Sequence, residues 1–300
     1  MSTGPVLALI AAVSFAVGIV LARKTAGEAG EAFSVTALSI FSGIPLFAVV
    51  IIAGGNWHNL VDIPLKALGM LVAVGFIHFV IGRLLAYNAF RYLGANRATP
   101  ITQISPVFTV ILSWIFLNES LTVFIALGVA FLMAGVFLIT REKGSFAGDN
   151  KKRSSHEVRG IVFSLIAALC WGITPVLIKP AIEQAGSPVV GNFISYSTAG
   201  IIFMVMLFPG TARRNNFKRL SFQRNVLPMV ASGLFTAAGQ LLYYIALGKS
   251  AANVIAPLIS TEILFIFLLS LLVNRRTEVF TVKVALGMAA AVAGTFLLFQ

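Results

Sequence analysis

Apolar residues in this chain occur in long unbroken runs, and polar or charged residues gather in short stretches between them. A helix needs about 20 apolar residues to cross the hydrocarbon of a bilayer. Ten runs approach that length, at roughly 4–22, 32–53, 67–90, 97–117, 121–140, 160–178, 188–208, 226–248, 252–273 and 279–299. The pattern predicts an all-α integral membrane protein of ten transmembrane helices. The stretch REKGSFAGDNKKRSSHEVR at 141–159 is polar, basic and contains Gly and Ser, and is expected to link two units at 1–140 and 160–300.

Composition agrees. Hydrophobic residues make up 58% of the chain and charged residues 11%, against about 25% charged in soluble proteins. A soluble fold could not cover its surface with so few charges. The net charge of +12 does not point to nucleic acid, because the basic residues lie between apolar runs without interleaved aromatics. A single cysteine, Cys170, excludes an internal disulfide and a multi-cysteine metal site, and no cofactor is expected. Met1 to Ala22 lacks a basic leader region and has a counterpart later in the chain, so it is expected to stay as a helix.

That counterpart belongs to a repeat. Shifting the first unit by about 157 positions brings Phe15 near Trp171 and Arg23 near Lys179. The same shift matches Ser42-Gly43-Ile44 to Ala199-Gly200-Ile201, and Gly82-Arg83-Leu84-Leu85 to Gly239-Gln240-Leu241-Leu242. Tyr87 meets Tyr244, Asn96 meets Asn253, and Pro100 meets Pro257; with two extra residues, Gly128 and Gly135 match Gly287 and Gly294. Five helices is an odd number, so two successive copies must cross the membrane in opposite senses. Inverted repeats of this kind place a substrate site near mid-membrane between the copies.

The segment from Tyr87 to Glu119, YNAFRYLGANRATPITQISPVFTVILSWIFLNE, with LGVAFLMAGVFLI after it, has its partner in YIALGKSAANVIAPLISTEILFIFLLSLL and ALGMAAAVAGTFLL. These, with Trp171-Gly172, resemble the drug/metabolite transporter superfamily, specifically its ten-helix proteins with two EamA-type repeats. The resemblance covers nearly the whole chain. It implies a central cavity and transport of metabolites such as amino acids or nucleotide sugars, often outward. Two departures stand out: the acidic residue ending the fourth helix is Glu119, but the second copy has Asn274-Arg275-Arg276 there, and Phe15 stands where the second copy has Trp171.

Nearly all of the 22 Lys and Arg fall in loops that follow odd-numbered helices. The positive-inside rule then expects these loops in the cytoplasm and both termini outside a plasma (inner) membrane.

Ionisable residues inside spans are functional candidates by default. Glu262 lies mid-span and must face a wet cavity, pair with a cation or carry a proton. Its alternative is a neutral carboxyl bonded to a neighbouring helix. His78 is a second proton-coupling candidate or a packed structural histidine. Arg83 and Tyr87 share a helix face, as do Gln240 and Tyr244 in the second copy. Arg83 can grip a carboxylate or phosphate or snorkel to the interface. Asn192 and Tyr196, with Gln103 and Trp171, complete the expected cavity lining. Thr99, Thr102, Pro106, Thr109 and Ser113 form a stripe, and Pro100, Pro106 and Pro257 are expected to interrupt their helices. The glycine pairs seven apart are expected to pack the fifth and tenth helices.

These features predict a secondary carrier of a small polar or amphipathic molecule, in a lipid bilayer, working as a monomer or an oligomer. No phosphate-binding loop suggests ATP. A membrane-embedded enzyme, lacking H-E-x-x-H or G-x-S-x-G, and a facilitative channel are the alternatives.

Overall fold

The computed structural model describes residues 3–25, 32–93, 95–143, 155–207, 217, 226–273 and 282–300. Regular structure among them is helical. In chain order the helices are α1 (Thr3–Thr25), α2 (Ala32–Ala53), α3 (Leu65–Val74), α4 (Arg83–Leu93), α5 (Ala95–Thr102), α6 (Ser105–Leu117) and α7 (Val123–Lys143). They continue as α8 (Ser155–Ala185), α9 (Pro188–Leu207), α10 (Val226–Lys249), α11 (Ala252–Ile259), α12 (Glu262–Val273) and α13 (Val282–Leu297). A π-helical stretch, Gly75–Gly82, fuses α3 to α4.

Seven described helical segments are long and apolar enough to span a membrane, and three shorter apolar helices accompany them, Ser105–Leu117, Val123–Leu138 and Ala285–Leu297. Ile52, Val123, Ile201 and Phe296 are exposed on the outside of the bundle, where lipid rather than water suits them. Helix extends into both ends of the basic segment at 141–159: α7 runs on to Lys143 and α8 begins at Ser155. Glu157 in the first turn of α8 favours that early start, since a carboxylate complements the positive end of a helix.

Small residues set the closest approaches. A Cβ on Gly135 would lie 2.5 Å from the Gly287 carbonyl, and one on Gly294 would lie 2.6 Å from the Gly128 carbonyl. Gly128 therefore meets Gly294 while Gly135 meets Gly287, so α7 and α13 pack antiparallel. The expectation that these glycines pack the fifth and tenth helices is met.

The pairing of α1 with α10 is also antiparallel, with Gly18 against Ser232 and Thr236 and Gly239 against Phe15. Gly160 against Tyr92 and Leu93, and Gly82 against Trp171, describe α8 beside α4 in the same manner. Phe15 over Gly239 and Trp171 over Gly82 are the contacts that the sequence repeat equates.

Two spans are broken. The α5–α6 break falls at Gln103 and Ile104, with Pro106 in the first turn of α6. The α11–α12 break falls at Ser260 and Thr261, three residues beyond Pro257. Proline has no N–H and clashes with the preceding turn, so the ladder yields close to it. Local bonds take up part of the deficit: Thr102 Oγ1 donates to the Thr99 carbonyl at 2.9 Å and Thr261 Oγ1 to the Leu258 carbonyl at 2.7 Å.

Candidate functional site

His78 sits in the middle of the π-helical stretch. Such segments widen a helix by one residue per turn and recur at functional sites. Its Nδ1 lies 2.9 Å from Thr174 Oγ1 on α8, and its Nε2 lies 3.2 Å from Gln240 Nε2 on α10. The Thr174 hydroxyl donates to the Trp171 carbonyl at 3.0 Å. It is therefore an acceptor toward the ring, so Nδ1 carries the proton and Nε2 accepts from the Gln240 amide. One neutral imidazole thus ties the third span to α8 and α10. Trp171 Nε1 donates to the His78 carbonyl at 3.3 Å, and Gly82 leaves room for the indole.

Arg83 lies one turn beyond. Its guanidinium stands 5.3 Å from the centre of the Phe79 ring, an arrangement in which the π face stabilises the cation. The side chain thus folds back along its own helix toward Phe79 and Tyr196. Phe79 packs on Tyr196 at 4.6 Å between centroids, and Tyr196 packs on Phe47 at 4.7 Å. Gly43 on α2 lets Tyr196 and Ala237 close around it, which brings the α9 tyrosine beside the turn of α10 that precedes Gln240.

Hydrogen-bonding capacity is left open around this junction. Among the described residues, Asn192 Oδ1 and Nδ2 and Gln240 Oε1 are buried without a partner, and the buried Tyr196 and Tyr244 hydroxyls have the Arg83 and Ser195 side chains beside them. Leaving such an atom unpaired costs about 1–3 kcal/mol, so an apolar protein core does not accumulate them without use. Asn192 and Tyr196 share one face of α9, and Gln240 and Tyr244 share one face of α10. Arg83 stands beside Tyr196 on the α9 face.

Glu262 belongs to a second cluster. It is the first residue of α12, at the α11–α12 break, and Oε1 accepts from Gln103 Nε2 at 3.0 Å. Gln103 occupies the α5–α6 break, so the two interruptions face each other through this one bond. The helix N-terminus beneath Glu262 favours a carboxylate, and among the described residues no Lys or Arg pairs with it.

Of the residues singled out by sequence, His78, Arg83, Trp171, Asn192, Tyr196, Gln240 and Tyr244 thus gather at or beside the histidine junction, and Gln103 joins Glu262. The Tyr87 ring lies edge-on to Phe90 at 6.1 Å. In the hydroxyl stripe, Thr109 donates to the Gly172 carbonyl at 3.0 Å and Ser113 to the Val110 carbonyl at 3.1 Å, so these residues join helices or satisfy their own. Thr174, three residues after Trp171 on α8, enters the site as the acceptor for His78 Nδ1. Sequence reasoning missed the partners of Glu119: Lys179 Nζ at 2.7 Å, the Ala252 N–H at 2.7 Å and the Asn253 N–H at 2.9 Å.

Comparison with known proteins adds the family. The EamA-like transporter family matches residues 2–141 and again 158–300. An uncharacterized transporter of Clostridium kluyveri is 27% identical over 186 residues, covering 62% of this chain and 58% of that one. Solute carrier family 35 member G1 of Homo sapiens is 27% identical over 195 residues, covering 63% of this chain and 51% of that one. The chain spans little more than half the length of these curated relatives. A solved crystal structure shares the fold with a TM-score of 0.79 at 16% identity, over 98% of this chain and 96% of the other.

Proposed function

The chain belongs to the EamA-like transporter family, and from that premise we propose that it is a secondary carrier exporting a small polar or amphipathic metabolite, such as an amino acid, by alternating access. The observation that carries this reading is the junction around His78, where the buried polar side chains of Asn192, Tyr196, Gln240 and Tyr244 lie on faces of α9 and α10 and Arg83 stands beside Tyr196. Those groups offer donors and acceptors to a polar solute, and Arg83 offers a fork for an anionic group.

Ten spans in two inverted halves form the frame of the proposal. Seven long and three short apolar helices supply ten segments. The antiparallel contact of α7 with α13, positions that the repeat equates, supports halves threaded in opposite senses. The matching Phe15–Gly239 and Trp171–Gly82 contacts support a two-fold relation between them. Loop charge places the basic side in the cytoplasm and the termini outside. Glu262 is the stronger proton-coupling candidate. It joins the two helix breaks through one hydrogen bond, whereas both ring nitrogens of His78 are already engaged.

The test is a thermal-shift screen of purified protein against amino acids, nucleotides, sugars and polyamines, followed by counterflow of each hit in liposomes. Ligand binding raises the melting temperature with saturation. Saturable counterflow is expected. Flux that rises linearly with concentration would indicate a channel and overturn the carrier.

A further inference from the structure

Glu119 does two jobs at once. Its backbone closes its own helix: Asn118 adopts a left-handed conformation at φ 52°, and the N–H groups of Asn118 and Glu119 both donate to the Ser113 carbonyl. Its side chain crosses to the other family-matched unit. Oε1 accepts from Lys179 Nζ and from the Ala252 N–H, each at 2.7 Å, and Oε2 accepts from the Asn253 N–H at 2.9 Å. Asn253 Nδ2 returns a bond to the Ser120 carbonyl at 2.9 Å.

The N-terminus of α11 has no side-chain cap from its own segment, so the orphan N–H groups that every helix presents there are served by a carboxylate from the opposite unit. Negative charge is favoured at that end, and the lysine completes the compensation. Glu119 is buried and the Lys179 side chain is 20% exposed, which shields the cluster from screening by salt.

The position of α11 turns this cluster from a staple into a device. It is eight residues long, about 12 Å, with the Glu119 clamp at one end and the Ser260–Thr261 break at the other. Gly4 at the start of α1 packs closely on Ser250 and the Ala246 carbonyl beside the same end. The clamp is written into the sequence once, since the second copy has Asn274-Arg275-Arg276 where the first has Asn118-Glu119-Ser120.

We propose that Glu119, Lys179 and the α11 N-terminus form a latch that holds the two halves shut at the end opposite the basic loops, and that its release lets α11 pivot to open that end. The proposal rests on the alternating-access reading.

It is tested without knowing the substrate. In a Cys170→Ser background, Ser260→Cys places a thiol at the buried break behind the latch. A membrane-impermeant methanethiosulfonate is added to one face of oriented vesicles at a time. Glu119→Gln, and separately Lys179→Met, should accelerate labelling at least tenfold from the latch face and leave the rate from the basic-loop face unchanged.

Should Glu119→Gln fail to purify as a monodisperse protein, Lys179→Met carries the same measurement. A Ser120→Cys/Asn253→Cys cross-link added to the Lys179→Met chain should return the rate to its starting value until reduced. Unchanged labelling in the latch variants overturns the latch, and so does equal acceleration from both faces, which would signify general loosening. If saturable counterflow of a compound found by the thermal-shift screen persists in that case, the carrier stands without the latch. A thiol at position 260 that reacts from neither face in any variant overturns both.

Discussion

Replacing Gly135 by Ala isolates the α7–α13 contact on which the proposal of oppositely threaded halves rests. The new Cβ would stand 2.5 Å from the Gly287 carbonyl, 2.8 Å from the Ala291 nitrogen and 2.9 Å from the Ala291 Cβ. These are backbone and Cβ atoms of α13, with no rotamer to turn away. α13 must retreat by about 1 Å to reach ordinary carbon contact, and a gap of that size forfeits roughly a quarter to a half of each contact well along the seam. Overpacking of this kind costs about 1–3 kcal/mol.

Alanine also recovers about 0.8–1.0 kcal/mol of helix propensity over glycine, so a reference is needed. Gly69, in α3, has nothing within 4 Å of its notional Cβ. Gly69→Ala should therefore be neutral or stabilising. The difference between the two variants, in which propensity cancels, is the packing cost, about 1–3 kcal/mol. Cys170 supplies the assay: it is the one cysteine in the chain and is buried, so a thiol-reactive fluorophore reports its exposure on heating in detergent. Gly135→Ala must melt below Gly69→Ala. Equal melting temperatures would show that α7 and α13 do not meet at Gly287, and would remove the antiparallel contact from the argument.

Other expectations follow from the same geometry. Glu262→Gln should abolish gradient-driven transport while the protein elutes as wild type, because glutamine still offers an oxygen to Gln103; undiminished proton-coupled flux would exclude Glu262 from coupling. Thr174→Val leaves the His78 Nδ1–H without its acceptor and should destabilise the protein by about 1–3 kcal/mol in the same thermal assay, whereas an unchanged melting curve would refute the assigned tautomer. Gly82→Ala should displace the Trp171 indole, which stands 2.6 Å from the notional Cβ, and a tryptophan emission spectrum identical to wild type would contradict that contact. A phosphatase fused after Gln300 should be active on the extracytoplasmic side in a bacterial host, and an inactive fusion would reverse the orientation.

Several elements were legible along the chain. Apolar run length marked the spans because hydrocarbon imposes a minimum helix length whatever the neighbours do. Proline positions anticipated both helix breaks, since the loss of an N–H is a local fact. The glycine pairs seven apart anticipated the α7–α13 seam. Glu262, His78 and Arg83 stood out because an ionisable group in an apolar run is costly wherever it points. Helix-face arithmetic grouped Asn192 with Tyr196, Gln240 with Tyr244 and Tyr87 with Arg83, and it did not name Phe90 as the ring beside Tyr87. A shared face does not say which neighbour it meets.

Sequence alone therefore determined the solvent of this protein, its helical class and its internal repeat, because composition and periodicity are properties of the chain itself. Tertiary structure decided which polar residues became partners. The Thr174–His78–Gln240 chain spans three helices, Gln103 and Glu262 are 159 residues apart, and Glu119 reaches 133 residues to cap α11. No local spacing encodes such pairs. They arise only when helices dock and buried polar groups, deprived of water, must be satisfied by whatever the opposite half brings within reach.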